Sequence, residues 1–106
     1  MIGTREPDAD VPAALMALAG GHGRLLWHKS KGWASATFEG SRDELCLEYL
    51  GAEAVAAAEP MLMGLRDAEI DLPGRIVAEA ELGWNTRLAK PDDRIVAVID
   101  LLLVKD

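Results

Sequence analysis

Cysteine occurs once in the 106 residues, at position 46. A lone cysteine closes no intrachain disulfide, so nothing in the chain calls for an oxidising compartment, and the reducing cytoplasm is the expected location. Glutamine is absent and asparagine occurs only at position 85, while alanine, leucine and glycine are plentiful. That bias suits a GC-rich bacterial genome. No apolar run approaches the ~20 residues that cross a bilayer. The segment from Met1 to Asp8 lacks the apolar centre of a signal peptide, so a cytosolic chain with no membrane partner is expected.

Basic charge is scarce: 11 Lys and Arg against 18 Asp and Glu, a formal net of −7. Such an excess repels phosphate backbones and anionic lipid, which argues against a nucleic-acid partner. The deficit is uneven, however. Residues 43–83 hold ten acids against two bases, whereas residues 22–42 hold Arg24, Lys29, Lys31 and Arg42 against Glu39 alone.

Catalytic signatures are also missing. The two histidines, His22 and His28, and Cys46 have no metal-ligand spacing, and a zinc site needs three or four converging ligands. Both histidines are expected at the surface. Cys46 stands between Glu44 and Glu48, whose charge raises a thiol pKa, so it reads as a filler and not a nucleophile. Gly20-Gly21-His22-Gly23 follows a helix and precedes a strand, the reverse of the phosphate-loop order. No catalytic residue, metal or cofactor is expected.

What is present is regular patterning. Asp10 stands as a cap before a short helix through Leu18, with Pro12 in its first turn. Residues 1–8 are expected to fray. Arg24–Lys29 and Trp33–Phe38 read as strands joined by a turn at Ser30-Lys31-Gly32, and Asp43–Leu50 as a third strand. Residues 52–66 form the main helix, with Ala54, Ala58, Met61 and Leu65 at helical spacing and a kink at Pro60. Arg75–Trp84 alternates again, placing Ile76, Ala78, Ala80, Leu82 and Trp84 inward and Glu79 and Glu81 outward. A loop from Asn85 to Asp93 leads to a closing strand, Arg94–Val104.

The expected fold is a single α+β domain over residues 1–106 in the order α-β-β-β-α-β-β. It is a two-layer arrangement, an about five-stranded, mostly antiparallel sheet with the main helix on one face. The closing strand is apolar on both faces: Ile95, Ala97, Ile99, Leu101 and Leu103 on one, Val96, Val98, Leu102 and Val104 on the other, with only Asp100 breaking the second set. An antiparallel sheet in water usually leaves one face polar, so the second set calls for a cover. Either the first helix supplies it or a second subunit does, and symmetric dimers are the commonest assemblies. The sequence thus points to a non-catalytic cytosolic domain that associates with itself or with another protein, with Val96, Val98, Leu102 and Val104 at the interface.

The alternative is a small-molecule or anion-binding domain, or a minor enzyme. Its residues would be Trp27, Lys29, Lys31, Trp33, Trp84, Arg87 and Asp100. Tryptophan planes beside cations stack bases and clasp anions, and a charged residue on an apolar strand face marks either a pocket or an ion pair with Arg75 or Arg94. Glu79 and Glu81, two apart on one strand face, read as a solvated edge.

Overall fold

The structure is a computed structural model and describes residues 9–106. The expected fraying of residues 1–8 lies outside the described residues. The elements are α1 (Asp10–Leu18), β1 (Arg24–Ala34), β2 (Glu39–Leu50), α2 (Ala52–Met63), a 3-10 turn (Leu65–Asp67), β3 (Arg75–Leu88) and β4 (Arg94–Lys105). The four strands form one antiparallel sheet in the spatial order β1-β2-β4-β3. The fold is therefore α+β with the order α-β-β-α-β-β, one strand fewer than expected.

The missing strand is a fusion. Ser30-Lys31-Gly32 is not a turn: these residues pair with Asp43, Arg42 and Ser41, so β1 runs straight through them. The chain reverses instead at Ser35–Phe38. There the Ser35 amide donates to the Phe38 carbonyl at 2.7 Å, and the Phe38 amide donates to the Ser35 hydroxyl at 3.0 Å. A serine that bonds its own turn makes a reversal without glycine. The loop expected over Asn85–Asp93 is also shorter, since its first four residues belong to β3, which continues through Leu88.

Both helices lie on the same face of the sheet. In α2 the buried positions are Ala54, Val55, Ala58, Met61 and Leu62, a stripe of helical period that Leu65 of the 3-10 turn extends. Val11, Leu15 and Ala19 bring α1 into the same cluster. These side chains pack on Leu45, Leu47 and Tyr49 of β2 and on Ile95, Ala97, Ile99, Leu101 and Leu103 of β4. Pro60 sits inside α2, which continues to Met63 before the 3-10 turn takes over. Pro60 is exposed, and so is Ala56, whose carbonyl loses its helical donor but stands open to solvent. Asp10 opens α1 as its first residue; the cap position is Ala9, with no side-chain hydrogen bond.

Two bulges in β3 change which residues face the helices. The register slips between Val77 and Glu79 and again between Leu82 and Asn85. Each slip resets the two-residue alternation. Of the five residues expected inward, Ala80 alone is buried; Ile76 is 53% and Trp84 62% exposed.

Candidate functional site: the bare face of the sheet

Because both helices share one face, no described element covers the other. Cross-strand partners share a face, so the register arranges this bare face as rows across the strands. Trp27, Cys46 and Val98 form one row, with the Gly83–Trp84 bulge opposite Val98. Lys29, Glu44, Asp100 and Glu81 form the next, then Lys31, Arg42, Leu102 and Glu79, then Trp33, Gly40, Val104 and Ile76. A further row, Arg24, Glu48, Val96 and Thr86, lies beyond Trp27. Two apolar bands, each with tryptophan, thus flank a charged band. Within that band the cations Lys29, Lys31 and Arg42 stand on β1 and β2, and the carboxylates stand on β4 and β3, except for Glu44 on β2.

The charged band floors an open hollow of about 530 Å³, lined by Lys29, Lys31, Arg42, Glu44, Glu79, Glu81 and Asp100, with Leu102 beneath. Asp100 lies between Glu44 and Glu81 in its row. Burial pushes its carboxyl pKa up from the ordinary value, and the charges of Glu44 and Glu81 push it the same way. Arg66, from the 3-10 turn, reaches Glu81 at 3.2 Å. Lys29 stacks over the Trp27 ring at 5.1 Å, which holds its ammonium on this face.

At the far end of the face, Glu48 lies between Arg94 at 2.7 Å and Arg24 at 2.9 Å. The Arg94 hydrogen bond holds its carboxyl below the ordinary range despite burial, with Arg24 adding to the effect. Arg94, one of the two partners expected for Asp100, is thereby committed elsewhere. Cys46 is buried, and burial raises its thiol pKa, further raised by Glu48 and partly offset by Arg94. That is the environment of an inert thiol.

The candidate ligand residues do not converge. Trp27 and Trp33 are six positions apart on β1, about 20 Å along a strand. Trp84 lies on the opposite edge strand, in the β3 bulge. Arg87 pairs in register with Ile95 on the helix side and is tied to Glu59 at 2.9 Å and to Asp93 at 3.3 Å. Lys29, Lys31 and Asp100 do share the hollow. Ligand pockets are concave and mainly apolar; this hollow is open and lined by charge.

The interface candidates Val96, Val98, Leu102 and Val104 form the spine of the bare face. Val96 is buried and the other three are half-buried. All three tryptophans of the chain are on this face or in its bulge, and none contributes to the helix-covered core.

Sequence reasoning missed a second polar cluster. His28, expected at the surface, has a side chain only 5% exposed, with Nε2 2.6 Å from Asp43 Oδ2. The Ser30 hydroxyl donates to Asp43 Oδ1 at 3.1 Å, and the Ser41 hydroxyl donates to the same oxygen. In a hydrolytic triad the serine bonds the histidine and the histidine bonds the acid. Here both serines bond the acid, so neither is activated, and the cluster is a satisfied buried network. Its members are brought together only by the β1–β2 register, which no sequence spacing announces. The glycine-rich loop also has a structural reason. Gly23 passes over Tyr49 at φ +115°, and a Cβ there would lie 2.9 Å from the ring. Burial pushes the Tyr49 pKa up to about 12.

Among the described residues no three of His, Cys, Asp and Glu are grouped as a metal ion requires, and no helix is long and apolar enough to cross a membrane. No protein-family model, curated protein or solved structure matches the chain.

Proposed function

We propose that the protein is a non-catalytic, cytosolic association domain and that it associates with itself through the bare face of the sheet. One observation carries this reading: every tryptophan of the chain sits on the face that the helices leave uncovered or in its bulge. Tryptophan is costly to leave in water and is enriched at interface hot spots. The apolar side chains of Val96, Val98, Leu102 and Val104, interrupted only by Asp100, add the greasy area that an interface core uses. The segregated charges add a polar surround, and the open, charge-lined hollow fits a flat partner better than an enclosed metabolite.

Sedimentation velocity over a concentration series tests the reading. The wild type is expected at twice its 11.4 kDa chain mass at tens of micromolar. Val98→Glu, which sets a charge in the middle of the spine, is expected to remain a folded monomer. A wild type that stays monomeric at several hundred micromolar overturns self-association.

A further inference from the structure

We infer that two copies pack bare face to bare face about a two-fold axis that runs parallel to the strands, between β2 and β4. This rests on the self-association just proposed and adds its geometry. Two sheets pressed face to face are related by an axis lying in the plane between them. An axis along the strands keeps each row opposite itself and exchanges its left and right ends. An axis across the strands keeps each strand opposite itself and reverses the order of the rows.

The charges distinguish the two. With the axis along the strands, Lys29 lies over the partner's Glu81 and Lys31 over the partner's Glu79, and the two-fold repeats both pairs. The same operation lays Trp27 against the partner's Gly83–Trp84 bulge, and Trp33 against the partner's Ile76. With the axis across the strands, β1 lies on β1 and β3 on β3, so lysine meets lysine and Glu79 meets Glu81, and only Glu44, laid on the partner's Arg42, gains an opposite charge. Like charges face to face suppress an arrangement. The bare face is therefore complementary to its own copy in one orientation and repulsive in the other.

The area is sufficient. Four strands about 4.8 Å apart and roughly ten residues long at ~3.3 Å each present on the order of 600 Å² per copy, the lower end of what specific dimers bury. A micromolar dimer is the expected strength. The less favourable features lie close to the axis, where Glu44 faces the partner's Asp100, Arg42 faces the partner's Leu102 and Glu48 faces the partner's Val96. Asp100 is also flanked by Glu44 and Glu81 of its own sheet, with Lys29 at the end of the row.

A charge swap tests the arrangement. One chain carries Lys29→Glu and Lys31→Glu; the other carries Glu79→Lys and Glu81→Lys. In either chain alone the opposed pairs become like-charged, and the dimer dissociation constant is expected to rise about 100-fold at low salt. Mixed together, the two chains restore every opposed pair, and native mass spectrometry should find the heterodimer in preference to either homodimer. Reversed chains that remain dimeric alone, or that stay apart when mixed, overturn the axis while leaving self-association standing. A monomeric wild type overturns both. Melting curves establish that each reversed chain folds. For a chain that does not fold, Lys29→Gln with Lys31→Gln replaces it, and an unchanged dimer in that variant counts against the axis.

Discussion

The two faces of β4 belong to one strand and differ by one residue in register, yet they live in different solvents. Ile99 and Leu103 are fully buried beneath the helices, whereas Val98, Leu102 and Val104, equally apolar, are only half-buried. The covered face is filled: its apolar side chains meet α1 and α2, and the His28–Asp43 cluster is hydrogen-bonded within itself, the buried Tyr49 hydroxyl being left without a partner. The bare face is unfinished, with tryptophan at the surface and three carboxylates in one row. Hydropathy alone does not separate the two. The difference lies in what arrives to cover them, and within the described chain both helices arrive on the same side.

That contrast breaks most sharply on large-to-small substitution. Leu47→Ala or Ile99→Ala, each opening a cavity under the helices, should cost about 3–5 kcal/mol in urea unfolding. Val98→Ala should cost no more than about 1 kcal/mol in dilute monomer, because the side chain is only half-buried there. Equal losses at the two positions would erase the distinction between the faces.

Next in size is the buried network. Asp43→Ala leaves His28, Ser30 and Ser41 without their shared acceptor and should cost roughly 3 kcal/mol. The loss should appear in unfolding free energy at every protein concentration, since the cluster is on the covered side.

Smaller effects distinguish two acids on the bare face by pH. Glu48 has a carboxyl pKa held below its ordinary value of 4.5 by Arg94 and Arg24, so its stabilisation is full above that value and is lost as the pH falls through the lower, folded value. Asp100 is shifted the other way from 3.8, so its ionised form weakens the folded protein at neutral pH, and the penalty is relieved as the pH falls through the raised value. Stability should therefore improve slightly on mild acidification and fall in stronger acid. Glu48→Gln should remove the acid loss at a cost of about 1–2 kcal/mol at pH 7. Asp100→Asn should remove the mild-acid gain, with a stability change under about 1 kcal/mol, and should tighten the dimer at pH 7. Thermal melts and sedimentation from pH 4 to 8 read both.

Much of this fold was legible in the sequence because it is written in short-range periodicity. Leu45, Leu47 and Tyr49 on β2, the alternating β4 residues, and the Ala54–Ala58–Met61–Leu65 stripe all repeat at the spacing of their element. What was not legible depends on register or on local chemistry with weak signals. Gly32 suggested a turn, but it is a paired strand residue, and Ser35 makes the turn through its hydroxyl. The β3 bulges turned Ile76 and Trp84 outward, and a bulge has no consensus that an alternating sequence reveals. His28 and Asp43 are 15 positions apart, and only strand pairing joins them. The same holds for the bare face: Lys29, Lys31, Glu79 and Glu81 read as ordinary charges until the register sorts them to opposite edges.

Cover of the bare face by a second copy is open to one direct optical test, because Trp27 and Trp33 lie on that face and Trp84 in the bulge at its edge. Acrylamide quenching of their fluorescence should weaken as the protein is concentrated through the range in which its mass doubles. Quenching that stays constant while the mass doubles would place the contact elsewhere on the molecule and contradict the account.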